Sequence, residues 1–357
     1  MKTIVIAIFI REKSAITEYF QKLSEKLIEH NYRIIIITNE QRTDLIDKNS
    51  NPIILTWPSY YPTKPKDFLF IKNVIKEYKP IAIISNFSAT NFSLIAGKLF
   101  GVPNRIVWIH TISTAMMEVD NWKFTRKRFI YKLATHFIAN SNATKKDAIE
   151  RYKIDESKID VLYNLIYRKD NLIAKEKTDE IIFVGRFYKA KGIDVLIRAM
   201  AIVKKEIPNI KLRIIGGGDS SSYEKMIKEH ELEDNIIIEG RISRDEVFAY
   251  LSKAKFSIVP SLSEAFGFVV IEAFSMKTTV IGSNIDGISE IIQDKENGLL
   301  FEVGNHKDLA EKMLFLWNNP KLIEKYSSNA YETFLNKFEL NNKIEEATQT
   351  ILKEIDI

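Results

Sequence analysis

The sequence contains no cysteine. Disulfides, thiolate metal sites, iron–sulfur clusters and a cysteine nucleophile are therefore excluded, and a reducing cytoplasm is the expected compartment. Glycine is sparse, at 13 of 357 residues, and none lies between Met1 and Gly97. Within that stretch no backbone has glycine's freedom to press against a ligand. No apolar run reaches the roughly 18 residues that a spanning helix needs, so no transmembrane segment is expected. The opening MKTIVIAIFI has the cation and apolar run of a signal peptide, yet Arg11 and Glu12 follow at once without a small-residue cleavage site. It reads as a buried first strand.

What is present is ordinary for a soluble globular chain: 45% hydrophobic and 28% charged residues, with a net charge of +5. That mild charge, without a nucleic-acid module in the pattern, points away from DNA or RNA as a partner. The length exceeds one ordinary core and suggests two domains of about 150–200 residues.

Short apolar runs alternate with longer amphipathic ones. Ile4–Ile10, Arg33–Thr38, Ile81–Ser85, Arg105–Ile109 and His136–Ala139 read as buried strands. Ile16–Glu29, Pro65–Glu77 and Asn91–Phe100 read as helices between them. Such β-α alternation implies a parallel sheet with helices on both faces. The pattern then restarts with strands Ile181–Val184, Lys211–Ile215, Asn235–Glu239, Phe256–Val259 and Thr279–Ile281. Helices near Ile193–Glu206, Tyr223–Glu231, Asp245–Leu251 and Phe268–Met276 separate them.

The expected organisation is an α/β chain of two Rossmann-like domains facing across a cleft. Residues 1–166 form the first, 167–178 a polar linker, and 179–339 the second. An amphipathic helix over about 340–357 is expected to pack back on the first. Open sheets of this kind bind ligands at the carboxyl ends of their strands.

The densest chemistry lies at those ends in the second half. EAFGFVVIE, Glu264 to Glu272, carries two carboxylates eight residues apart. In one continuous helix they would sit about 80° out of register, so they do not stack. With Glu264 in a loop and Glu272 in the second turn, both reach a ligand lying across the helix start. A catalytic pair, a metal site and a ligand clamp all fit that description. The amides near Gly267, Phe268 and Val269 make an anion site by geometry and dipole. VGRFYKAKG, Val184 to Gly192, places Arg186 and Lys191 where two cations neutralise a diphosphate. IIGGGD, from Ile214, is a glycine turn but not a dinucleotide fingerprint, because Ser221 stands where the third glycine is needed. DGISEII and NGLLFEVGN follow, read as a short helix and a turn into a short strand.

In this order and spacing the segments resemble the retaining GT-B glycosyltransferases of family 4, strongly over Ile181–Asn305 and collinearly elsewhere. HFIANSNATKKDAI and VLYNLIY in the first half fit as well. The resemblance implies a nucleotide-diphosphate-sugar donor on the second domain. Arg186 and Lys191 would hold the diphosphate, Glu264 the donor sugar's hydroxyls, and the Phe266–Val269 backbone sugar and phosphate. Glu272 would hold the ribose, and Gly240, Arg241 and Ile242 would lie near the base. His110, ending a strand in VWIHT, matches a position where relatives place a histidine facing the sugar. Asn86, ending the preceding strand, is an acceptor-side candidate.

The chain departs from the family in its glycine-free first loop, FIREKSAITEYF, and in Lys277, Thr279, Ala265 and Asp286, which replace common glycines or a proline. No Asp-x-Asp metal clamp occurs, so no obligatory metal or other cofactor is expected. His30, His136, His230 and His306 show no metal-ligand spacing and read as structural.

NWKFTRKRFIYK, Asn121 to Lys132, holds five cations, four aromatics and no acid. Helical pitch puts Trp122, Phe129 and Leu133 on one face, expected to be core. Phe124 and Tyr131, flanked by Lys127 and Arg128, are expected to face an anionic membrane.

The expectation is a cytoplasmic, membrane-peripheral glycosyltransferase, hexosyl or N-acetylhexosaminyl, acting with retention in polysaccharide or glycoconjugate synthesis. It would take a UDP-sugar before a GDP-sugar and a glycan or lipid-linked acceptor. The rival readings are a nucleotide-sugar epimerase or hydrolase on the same fold and a non-catalytic subunit of a transferase complex.

Overall fold

The computed structural model describes residues 1–8, 14–39, 50–112 and 121–355. It divides into two compact units, Met1–Tyr167 with Leu340–Ile357, and Arg168–Glu339.

The first unit runs β1 (Thr3–Ala7), α1 (Ala15–Glu29), β2 (Arg33–Thr38), β3 (Ile53–Thr56), α2 (Pro65–Tyr78), β4 (Ala82–Asn86) and α3 (Thr90–Leu99). It continues through β5 (Asn104–Ile109), α4 (Asn121–Tyr131), β6 (His136–Ala139), α5 (Asn142–Tyr152) and β7 (Ile159–Val161). All seven strands are parallel, in the order β3-β2-β1-β4-β5-β6-β7. Strands such as TIVIA and RIIIIT are unbroken apolar runs because both sheet faces are covered. Alternation sorts them: Ile4, Ile6, Ile34 and Ile36 pack on one face, Val5, Ala7, Ile35 and Ile37 on the other. Helix α1 begins at Ser14, whose hydroxyl caps the Thr17 amide, and buries Tyr19, Phe20, Leu23 and Leu27 on one stripe.

The second unit repeats the scheme. It runs β8 (Glu180–Val184), α6 (Ile193–Glu206), β9 (Lys211–Ile215), α7 (Ser221–Glu229), β10 (Ile236–Gly240), α8 (Arg244–Lys253) and β11 (Phe256–Val259). After these come α9 (Phe268–Ser275), β12 (Val280–Ser283), α10 (Asp286–Ser289), β13 (Gly298–Phe301), α11 (His306–Trp317) and α12 (Pro320–Lys337). Its six parallel strands are ordered β10-β9-β8-β11-β12-β13. Both units are thus Rossmann-like: strand order runs outward one way from the first strand and then reverses, so a crevice opens where β8 and β11 lie side by side.

The last helix, α13 (Leu340–Ile355), returns to the first unit. Leu340, Ile344, Ile351 and Ile355 join the core of β1, β2, β4 and α1. Each such side chain contributes up to about 1.5–3 kcal/mol on burial. His136, on β6, sits with its two ring nitrogens 3.0 Å from Asp160 of β7 and 3.0 Å from Glu354 of α13. Spanned between two carboxylates, it staples the helix to the sheet.

The strand expected over Ile4–Ile10 ends in the structure at Ala7, and Phe9 and Ile10 lie outside the described residues. Strands β3 and β7, and helices α11 and α12, are additions to the elements read from the sequence.

Candidate active site

The exits of β8 and β11 are locked together by glycines. Gly192 adopts φ +66, and a Cβ there would stand 1.9 Å from the carbonyl oxygen of Pro260, the residue after β11. A Cβ on Gly216, after β9, would meet the Gly185 oxygen at 1.8 Å. Only glycine fits either place. The Leu262 amide then donates to the Ala190 carbonyl, 2.8 Å, tying the β11 loop to the β8 loop.

This packing fixes the two charged residues that the sequence singled out. Lys191 Nζ lies 2.5 Å from Glu264 Oε2, with the side chains 25% and 19% exposed. The expected assignment gave Lys191 to a diphosphate and Glu264 to a sugar; in the structure they hold each other. Such a solvent-accessible pair is worth on the order of 1 kcal/mol, so a ligand offering a phosphate oxygen and a hydroxyl can replace both partners. Arg186 is exposed and makes no ion pair among the described residues.

Helix α9 starts beyond Gly267, whose φ of +94 turns the chain and which offers no side-chain cap. Its first-turn amides, at Phe268 and Val269, therefore face outward as anion donors. Phe266 is buried and anchors the turn. Gly287 packs its backbone on the same loop, where a Cβ would stand 2.3 Å from the Glu264 oxygen.

Glu272, one turn along α9, meets Arg244 Nε at 3.4 Å. Arg244 was not read from the sequence. Its signal was the capping box SRDE: Ser243 and Glu246 cap each other's amides, at 3.3 and 2.9 Å, and so fix the first residue of α8. Arg244 also lies 5.2 Å over the Phe248 ring. Gly240 ends β10 at φ +76 with open space around it, and an exposed Arg241 and a half-buried Ile242 follow.

In the first unit, Asn86 ends β4 and is fully buried. The next residue, Phe87, has φ +45, an outlier for a bulky side chain that marks local strain. Its ring stacks on His110 at 5.1 Å, and Trp108 also lies parallel to His110 at 5.9 Å. Burial among these rings pushes the His110 imidazole down to about 3, an effect that the nearby Asn164 side chain partly offsets. His110 is therefore a neutral imidazole near pH 7 and exchanges hydrogen bonds rather than charge. Phe87, like Arg244, is a residue the sequence reading missed. Residues 9–13 of the glycine-free segment lie outside the described residues.

One expectation is overturned. Trp122 and Phe129 of α4 are 68% and 65% exposed, not core. The buried aromatic is Tyr131, which packs at 5.4 Å on Phe137 and 5.2 Å on Tyr152, with Phe124 5.7 Å from Tyr152. Lys127 lies over Tyr131 and Tyr152, at 5.2 and 5.0 Å. Arg128 Nε donates to the Arg151 carbonyl at 2.9 Å. Both faces of this helix carry aromatics, and the face that finds aromatic partners on β6 and α5 is the one that packs. Phe124, Lys127, Arg128 and Tyr131 therefore do not form the outer face.

The comparisons with known proteins agree with this architecture. Residues 167–333 match the family model for glycosyl transferases group 1, and residues 16–168 the model for glycosyltransferase family 4. Only 1–15 and 334–357 fall outside both matches. The chain belongs to the GT-B glycosyltransferases.

It is 34% identical over 218 residues to an uncharacterized glycosyltransferase of Methanocaldococcus jannaschii, a match covering 59% of this chain and 58% of that protein. The matched stretch thus spans less than two thirds of that relative. The capsular polysaccharide biosynthesis glycosyltransferase CapM of Staphylococcus aureus is 27% identical over 312 residues, covering 80% of this chain and 81% of CapM. Among solved structures, Anabaena HepE in complex with UDP superposes with a TM-score of 0.80 at 17% identity, over 99% of this chain and all of HepE. That likeness concerns the fold.

Proposed function

We propose that the protein transfers a hexosyl or N-acetylhexosaminyl group, with retention, from a nucleoside-diphosphate sugar to a glycan or lipid-linked acceptor. The observation that carries this reading is the Lys191–Glu264 pair joining the loops after β8 and β11, with the uncapped start of α9 following in the same segment. No pairing of carboxylates there suits acid–base hydrolysis, since Glu264 is held by Lys191 and Glu272 by Arg244. The arrangement suits a ligand that is anionic at its centre and hydroxylated at both ends. The UDP bound in HepE and the polysaccharide role of CapM support a UDP-sugar and a growing polysaccharide.

In this reading the acceptor oxygen bonds the anomeric carbon as the bond to the diphosphate oxygen breaks. The acceptor's proton leaves with the departing diphosphate on the same face of the sugar. Arg186, Lys191 and the first-turn amides of α9 stabilise the negative charge that develops there, which is the main contribution asked of the protein. Glu264 and the neutral His110 position the sugar hydroxyls, Glu272 the ribose, and Gly240, Arg241 and Ile242 flank the base. Asn86 stands on the acceptor side. These roles require no obligatory metal.

No described helix is long and apolar enough to cross a membrane. We place the enzyme in the cytoplasm at an anionic membrane surface, docked through the outward stripe of α4 rather than through Phe124 and Tyr131.

The test is a thermal-shift titration of wild type and Lys191→Ala against UDP, GDP, ADP, CMP and NAD. A ligand that binds only the native state raises its melting temperature. Stabilisation by one nucleoside diphosphate, reduced in the variant, supports the donor site. Absence of a shift with every diphosphate overturns it, and a shift with NAD alone assigns a different chemistry.

A further inference from the structure

We propose that a cavity beneath α4 is a binding site for the phosphate of an anionic phospholipid. The inference rests on the membrane reading above and adds a specific site to it. Trp122, Thr125, Arg126, Phe129 and Lys132 are all exposed and recur at spacings of three and four, so they form one stripe. No acid occurs anywhere in α4. Two large exposed aromatics between cations are the chemistry of the bilayer interface, where the rings enter the headgroup region and the cations meet lipid phosphate.

Beside Phe129 opens a cavity of about 490 Å³. Its polar wall carries Arg128, Lys132, Lys153 and Lys158. The one acid in that wall, Asp155, accepts from the Ser157 amide at 3.0 Å and hydroxyl at 2.8 Å, which keeps it ionised, and the four cations leave the wall net positive around it. Helix α5 ends at this wall, and its last carbonyls oppose an anion. Arg128 is spent on one of them, at Arg151, as described. That leaves three lysines to receive a phosphate, with Lys132 held 5.3 Å over the Phe129 ring at the cavity's edge. The adjoining Trp122 and Phe129 decide between sources of phosphate: a soluble anion makes no use of them, and a lipid does.

Each cation at a membrane surface strengthens partitioning by roughly fivefold, so losing three lowers it on the order of a hundredfold. The experiment measures co-sedimentation of the full chain with vesicles of phosphatidylcholine alone and phosphatidylcholine mixed with phosphatidylglycerol. Wild type is compared with Lys132→Gln/Lys153→Gln/Lys158→Gln and with a charge-matched control, Lys225→Gln/Lys228→Gln/Lys321→Gln, whose sites are exposed in the second unit. Circular dichroism checks that each variant folds. The expected result is binding only to the anionic vesicles, lost about a hundredfold in the cavity variant and kept in the control. Equal loss in both triple variants reduces the effect to net charge and overturns the site. Unchanged binding in the cavity variant overturns the site while leaving the membrane reading intact. No binding of wild type to anionic vesicles overturns the membrane reading itself. A thermal shift with inorganic phosphate, abolished in the cavity variant without any vesicle binding, assigns the cavity to a free anion and overturns the lipid.

Discussion

Gly192→Ala separates backbone strain from steric conflict at the site. Gly192 and Gly304 both adopt left-handed backbone, at φ +66 and +76, within the same unit. A Cβ on Gly304 would find its nearest neighbour, Leu262 Cδ2, at 3.9 Å, an ordinary contact. Alanine there pays the left-handed penalty of about 1–2 kcal/mol, offset by about 0.4–1 kcal/mol from a less mobile unfolded chain. The net loss is about 1 kcal/mol or less. At Gly192 the same Cβ would stand 1.9 Å from a main-chain oxygen of Pro260, which cannot swing aside as a side chain can. The loop must retreat, at a further cost of about 1–3 kcal/mol. The two variants should therefore differ by roughly 2 kcal/mol, or about 4–8 °C in melting temperature for a domain of this size. Since two units need not melt together, the readout is amide hydrogen exchange in β8 and β11 alongside the thermal scan. Equal losses in Gly192→Ala and Gly304→Ala would refute the steric argument.

Three other outcomes are expected. Lys191→Ala should lower turnover on the order of a hundredfold, while its partly exposed ion pair costs only about 1 kcal/mol of stability. Steady-state rates and melting temperatures falling in proportion would make Lys191 merely structural. Arg244→Ala should weaken nucleoside-diphosphate binding roughly tenfold by releasing the Glu272 carboxylate from its orientation, as calorimetry reads directly; an unchanged affinity removes Arg244 from the site. His110 stays neutral in the fold down to about pH 3, whereas the unfolded chain protonates it near 6.5. The unfolded state then binds more protons over that interval, so stability falls as pH drops from 6.5 towards 3, by up to about 1.4 kcal/mol per unit. His110→Gln should lack this component, and parallel pH–stability curves for the two proteins would exclude it.

Much of the second unit was legible because its chemistry is local. Arg186 and Lys191 follow one strand, and Glu264 through Glu272 follow another, so each cluster occupies one short stretch after its strand and its position on a parallel sheet is dictated by strand order. Helix boundaries with explicit caps were readable as well. Pro65 opens α2 and Ile193 follows the Gly192 turn, and both starts fall where the sequence reading put them. What stayed hidden depended on contacts between distant segments. The Lys191–Glu264 pair joins residues 73 apart, and Arg244–Glu272 joins residues 28 apart. His136 finds Asp160 and Glu354 on two other elements, which no spacing rule exposes. Helix α4 failed for another reason: aromatics on both faces left the periodicity degenerate, and the tyrosine of α5 broke the tie. Short strands β3 and β7, of four and three residues, carry too little apolar sequence to stand out.

Helix α13 carries a consequence for how the protein is made. The chain leaves the first unit at Tyr167 and comes back only at Leu340, so that unit's core stays open until the second unit and α13 have been synthesised. The second unit, contiguous from Arg168 to Glu339, holds everything it needs earlier. During translation the order of completion is thus the reverse of the order of emergence: the half that appears first waits, with the seat for Leu340, Ile344 and Ile351 uncovered, for the half behind it to finish. A stop codon near residue 339 would spare the unit just completed and cripple the one synthesised before it.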